Sequence, residues 1–281
     1  MSAPDTADIQ RALYRYNRSV PDAAGYAELL DLERRWVVRR VAEYEAAAPR
    51  FGTLTEVLAA LGDRLTEEER SGPTEDEVFL AERATLDQFK VVVAEFAVDG
   101  LVESQSHLAI VPRLPAKVRT CVLRVLIDEF GCGNDAQEHA QLYTALVEEL
   151  GMPTDPETYV DSVSAQCLAF VNQFHWLAGR APSPEYFLGA YAYFEASVLY
   201  AFRCYAAACE RLGIRNGRYY SEHLHIDSFH SKQMRGAIRA LEQYRPVDLR
   251  KVWAGIELSS AIAAEATAAA IGRARQLVSV R

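Results

Sequence analysis

The run Glu222-His223-Leu224-His225-Ile226-Asp227-Ser228-Phe229-His230 sets three imidazoles and two carboxylates within nine residues. An α-helix turns about 100° per residue. Taking His223 as zero, Asp227 falls at about 40° and His230 at about −20°, so the three share one face over two turns. His225 falls at about 200°, on the opposite side. Imidazole nitrogen with carboxylate oxygen suits iron, manganese or zinc. Without a nearby cysteine pair the set does not suit structural zinc. The same face also fits a helix that turns polar residues to solvent or a partner.

Two further places carry ligand-type residues. In Asp128-Glu129-Phe130-Gly131-Cys132-Gly133-Asn134-Asp135-Ala136-Gln137-Glu138-His139, Glu129 ends one helical pattern and His139 opens the next. The glycine-rich turn lets the two approach. His139 heads the apolar stripe Leu142, Tyr143, Leu146, Leu150, so it faces a core, where a hydrogen-bonded structural histidine is a more ordinary occupant than a ligand. Glu129 sits at the unfavourable end of its helix dipole and needs a compensating cation. Glu195 is the one charge between Phe187 and Phe202. A carboxylate there is costly to bury unless paired, protonated or metal-bound. The alternatives are a tip that reaches solvent or a pair with Arg203.

These helices thus offer Glu129, Glu195 and Asp227 together with His139, His223 and His230. Helical bundles build di-iron sites from such sets, projecting inward from facing helices. Two Glu-x-x-His pairs, the ferritin-type pattern, are absent. So are a Gly-x-Ser-x-Gly elbow, a phosphate loop and a Gly-x-Gly-x-x-Gly turn.

The elements that must position these residues read as helices throughout, with no convincing period-two strand. The patterns predict helices over about 24–48, 54–62, 75–108, 116–130, 134–150, 219–244 and 248–274, plus a pair punctuated by Pro156, Pro182 and Pro184. Thr66–Thr74 reads as a loop. Asn134 or Asp135 reads as an N-cap, Ser183 as a helix start and Gly151 as a helix stop. The expected architecture is a single all-α domain over 1–281, with 1–74 as accessory helices and 75–281 as a seven-helix core.

The 281 residues carry 30 Lys+Arg against 39 Asp+Glu, a formal charge of −9, with half the residues apolar. This is a globular composition. An acidic chain without a basic cluster is not expected to bind nucleic acid. No apolar run approaches the ~18 residues that span a bilayer, so no membrane association is expected. The N-terminus lacks a signal-peptide pattern, and five cysteines without a CxxC pair fit a reducing compartment. A cytoplasmic location is the expectation.

The order Glu … Gly-x-Gly … His … Glu … His-x-x-x-Asp-x-x-His resembles the heme-oxygenase-like di-iron oxidases and oxygenases, the iron-containing redox enzyme family. Asp128–Gly133 with His139–Tyr143 resembles the family's first ligand block, and Glu195 stands where its mid-chain glutamate is expected. Tyr219-Tyr220-x-x-His223-x-x-x-Asp227-x-x-His230 resembles the closing block, the most specific part. The likeness covers about Leu80 to Tyr244.

The resemblance implies a heme-oxygenase-like seven-helix bundle with extra N-terminal helices. It implies two iron ions held by three His and three carboxylates, with O2 as cosubstrate and a peroxo-diferric intermediate. By position, Glu129, His139 and His230 would hold one iron, and Glu195, His223 and Asp227 the other. Glu103 stands where N-oxygenating members carry an extra glutamate, and a solvent-facing role fits it as well. Ala136 stands where certain members carry another carboxylate, so a seven-ligand site is in question.

The activity so implied is oxygenation of a small-metabolite amine to a hydroxylamine, nitroso or nitro product. The alternative is oxidative C–C or C–N cleavage, or desaturation, of an amino or fatty acid. A long apolar tunnel would point to a fatty acid, and Arg with acidic partners to an amino acid. A metal-free binding protein would take up no iron, and a heme protein would give a Soret band with hemin. Electrons would come from a reductase or small reductant, since no flavin or nicotinamide motif is present. A homodimer is the expected assembly.

Overall fold

A computed structural model describes residues 6–277, with the side chains of 225–228 outside that description. The described residues are helical, without a strand. In chain order the helices are α1 (Thr6–Asn17), α2 (Ala23–Glu33), α3 (Arg39–Ala47), α4 (Leu54–Arg70), α5 (Glu75–Val78), α6 (Leu86–Gly100) and α7 (Ala116–Glu129). They continue as α8 (His139–Glu149), α9 (Ala165–Gly179), α10 (Pro184–Ala201), α11 (Arg203–Leu212), α12 (Arg218–Glu242) and α13 (Leu249–Gln276).

Side-chain caps fix several starts. Asp22, Thr53, Ser164 and Asp248 each accept a backbone N–H of their first turn. Each such cap contributes about 1 kcal/mol. Caps also explain where the structure departs from expectation. The helix expected over 75–108 is broken twice. Thr85 and Gln88 form a capping box that starts α6 afresh. Beyond Gly100 the chain turns through Ser104, which holds a left-handed φ of 63°, into a 3-10 segment at Gln105–Arg113. The loop expected at Thr66–Thr74 is mostly helix, because α4 runs to Arg70. Asn134 caps a 3-10 turn, Asp135–Gln137, and α8 begins only at His139.

One apolar core runs from Tyr14 on α1 to Ala274 on α13, with a small satellite of Leu13, Leu29 and Leu32 between α1 and α2. α13 packs on α10, α9, α3 and α6, and α12 bridges α10 to α7. An 18-residue window of α13 reaches a mean hydropathy of 1.2, long and apolar enough by composition to cross a membrane, contrary to the expectation from the sequence. In the fold that window is 56% buried against other helices.

The tightest crossing is α10 on α13. A Cβ at Gly189 would lie 2.0 Å from the Val252 carbonyl oxygen, and one at Gly255 would lie 2.1 Å from that of Tyr186. This close approach holds α10, and with it Glu195, against the central helix. A buried carboxylate with an exposed arginine reinforces it. Glu185 on α10 accepts both guanidinium nitrogens of Arg245, just beyond α12.

Candidate metal centre

Glu195 lies in the middle of α10, buried among aromatics, and Arg203 is bound instead to Glu69 at 2.6 Å. Glu129 closes α7. Gly131 then turns the chain back with φ +72° and an approach to Glu138 that leaves no room for a side chain. This places His139, the first residue of α8, with Nδ1 3.0 Å from Glu129 Oε2. α12 passes beside both and contributes His223 and His230. Glu103 enters from the turn after α6.

Two groups result. Glu103, Glu129, His139 and His223 bring one ligand atom each to within 4.8 Å of one another. Glu129, Glu195 and His230 do the same. Glu129 belongs to both: Oε2 faces His139, and Oε1 lies 3.5 Å from His230 Nδ1. The resemblance paired His230 with His139, and His223 with Glu195. The side chains group the other way, because His223 lies on the turn of α12 beside α8 and Glu103, and His230 two turns further along beside Glu195. The Asp227 side chain lies outside the described residues, and so does that of His225.

Hydrogen bonds aim the imidazoles. His223 Nδ1 lies 2.7 Å from the Tyr219 carbonyl oxygen, an acceptor only, so Nδ1 carries a proton and Nε2 faces Glu103 Oε1 at 3.2 Å. His230 Nε2 lies 2.9 Å from Asp128 Oδ2, and its Nδ1 lies 3.0 Å from Glu195 Oε2. A carboxylate or carbonyl behind a ligating imidazole is the usual support in metal sites. Ser104, held at its left-handed φ, donates to Glu129 Oε2 at 3.0 Å.

The donor set fits a cation. Five carboxyl groups (Asp99, Glu103, Asp128, Glu129, Glu195) gather around three imidazoles. Burial alone would push the Glu129 carboxyl up, but His139, with His223 and His230, outweighs it and holds the group below the usual carboxylate range. Burial would lower His139, yet Glu129 raises it above the ordinary imidazole value. Two buried atoms have no hydrogen bond: Glu103 Oε2 and His139 Nδ1. His139 Nδ1 is near Glu129 without pointing along a hydrogen bond. Converging nitrogen and oxygen donors, with these two atoms left unbonded among them, suit a bound iron.

Three residues here were not singled out in the sequence. Asp128 was passed over beside Glu129. Ser104 carries no motif. Asp99 lies one turn before Glu103, a spacing that places both on one face. Burial, then Glu103 and Glu129, push the Asp99 carboxyl well above the usual range. His107 is also buried, stacked on Phe174 at 4.3 Å, and burial brings it down to about 3.

A cavity of about 80 Å³ opens from Asp99 and Glu103 among aromatic side chains. Phe96, Phe170, Phe194, Tyr205, Tyr219 and Tyr220 are among the side chains that line it.

Residues 90–264 match the family model for iron-containing redox enzymes. Among proteins of known activity, a nitrosourea synthase from Streptomyces achromogenes subsp. streptozoticus is 27% identical over 148 residues. That stretch is 52% of this chain and 31% of the relative, so the chain spans about a third of that protein's length.

Proposed function

The chain belongs to the iron-containing redox enzyme family, and within it we propose a non-heme di-iron, O2-dependent oxygenase that converts a small-metabolite amine to a hydroxylamine, nitroso or nitro product. The observation that carries this reading is the sharing of Glu129 between two buried ligand groups, each with its own imidazole. Glu103, Glu129, His139 and His223 would hold one iron. Glu129, Glu195 and His230 would hold the other, and Asp227, whose side chain lies outside the described residues, is the remaining ligand that the resemblance implies. When bound, the two irons supply the reduction of O2 and the delivery of one of its oxygen atoms.

The protein supplies the rest. The Tyr219 carbonyl and the Asp128 carboxylate hold His223 and His230 in the orientation and protonation that ligation needs. Ser104 fixes the Glu129 rotamer. The aromatic side chains exclude bulk water from the side on which a substrate would approach. For the first oxygenation an amine, O2, two electrons and two protons give a hydroxylamine and water. The electrons come from an external reductase or small reductant. The name of the similar synthase, a protein that makes nitrosourea, supports nitrogen as the atom oxidised.

The test is to load Fe(II) under argon, add a panel of primary amines with a reductant, and admit labelled O2. The reading requires label in an N–O product. Cleaved or desaturated products without label on nitrogen would support the oxidase alternative instead.

A further inference from the structure

The aromatic chamber is not closed. A second, outer cavity of about 700 Å³ opens between α10, α13 and the turn from α4 to α5. The two cavities share four lining residues, Ser197, Ala201, Ala263 and Thr267. All four are small, and they form the neck between outer cavity and chamber. At its other end the chamber shares Asp99, Glu103, Phe170, Phe194 and Val198 with the space around Glu129, Glu195 and His223. Outer cavity, neck, chamber and ligand cluster therefore lie in series.

Charge changes little along this route. The outer cavity carries Glu68, Glu69, Asp76 and Glu77; Glu68 is paired with Arg64, Glu69 with Arg203 and Asp76 with Arg275, which leaves Glu77 without an ion pair among the described residues. Among the described residues no Lys or Arg lines the chamber. Its carboxyl groups are Asp99 and Glu103. Glu103 points Oε1 at His223. Asp99 makes no side-chain hydrogen bond or ion pair among the described residues. It faces the aromatic chamber one turn before Glu103, and a cation beside it would favour its charged form against the burial and neighbouring carboxylates that push it up. An anionic head group would find no cationic partner in the chamber. A cation would meet attraction at the mouth, ring faces in the chamber and a carboxyl partner beside the ligand cluster. Ring faces stabilise a cation by roughly 0.5–2 kcal/mol each when it is desolvated.

The geometry points to a substrate that is a slender organic ammonium, entering past Ser197, Ala201, Ala263 and Thr267 and anchored by Asp99 beside the irons. Asp99 is thus a positioning residue that selects cations over carboxylates. The choice of nitrogen as reacting atom rests on the function proposed above, but the route and its charge preference do not.

The experiment titrates the full chain, loaded with Fe(II) under argon, with n-hexylammonium and separately with hexanoate, by calorimetry. Iron is counted in every sample. Hexylammonium is expected to bind at least tenfold tighter than hexanoate. Asp99→Asn should remove that preference. Ala263→Phe, at a half-buried neck position, should slow hexylammonium association at least tenfold with the iron count unchanged. Equal or tighter binding of hexanoate, no binding of hexylammonium, or unchanged association in Ala263→Phe would each overturn the proposal. If the chain holds no iron yet binds hexylammonium with these dependences, the tunnel stands and the oxygenase reading falls.

Discussion

Replacing Gly131 by Ala tests whether the turn between Glu129 and His139 is what assembles the centre. Two costs can be worked out. Gly131 has φ +72°, and an alanine held in the left-handed region costs roughly 1–2 kcal/mol. Its Cβ would also lie 2.7 Å from Glu138 N and 3.0 Å from Gln137 C, both backbone atoms that cannot swing aside. Overpacking of this kind costs typically about 1–3 kcal/mol. Together they give about 3 kcal/mol. Unfolding entropy of about 2.1 cal/mol/K per residue over 281 residues converts this to a fall in Tm of about 5 °C. Gly72 is the control, because its φ is also +72° but nothing lies within 4 Å of a Cβ. Gly72→Ala should carry the backbone cost alone, about 2 °C. The extra cost in Gly131→Ala comes from pushing residues 137–138 away, which moves His139 off Glu129. Fe(II) affinity should therefore fall about 10–100-fold, as it does when the support of a metal ligand is lost. Gly72→Ala should leave it unchanged. Differential scanning calorimetry and an anaerobic Fe(II) titration read the two effects. Equal melting shifts in the two variants with equal iron affinity would refute the reasoning.

Other outcomes follow from the same geometry. Glu129→Ala should lose both irons, whereas Glu195→Ala should retain about one, counted by elemental analysis after desalting. Gly255→Ala would drive a Cβ to 2.1 Å from the Tyr186 carbonyl oxygen, so α10 must separate from α13; soluble yield and cooperative melting should both be lost. Glu185→Gln should destabilise the fold at pH 7 by about 1–2 kcal/mol, because the buried carboxylate loses its charge-assisted bonds while the exposed Arg245 stays hydrated. Burial would raise the Glu185 carboxyl, but Arg245 and Ser183 bring it down to about 2 from an ordinary 4.5. Its contribution is then complete above pH 4.5 and disappears as pH falls towards 2. Urea midpoints of wild type and variant should converge over that window.

The all-α reading and the starts of α10, α12 and α13 were legible because each rests on local signals: Ser183 before Pro184, Gly217 before Arg218, Asp248 before an apolar run. The break at Thr85 also had a local signal, the Thr-x-x-Gln box, hidden inside a continuous helical pattern. The ligand-type residues could be read from residue type and burial expectation, His139 on its apolar stripe and Glu195 in its uncharged helix. Their grouping could not. Whether His223 or His230 meets Glu195 depends on how α12 slides along α10, a tertiary register that no local period encodes. Asp128 and Asp99 were invisible for a related reason. Each becomes part of the centre only through what a distant helix brings to it, His230 in one case and the aromatic side chains of the cavity in the other.

The central claim is a pair of irons that share Glu129 and react with O2. Two equivalents of Fe(II) added under argon, followed by rapid mixing with O2 in a stopped-flow spectrophotometer, test it most directly. The account predicts two irons retained per chain and a transient visible absorbance band that is absent in His223→Ala. No iron retained, or a chain with two irons whose spectrum O2 leaves unchanged, would contradict it.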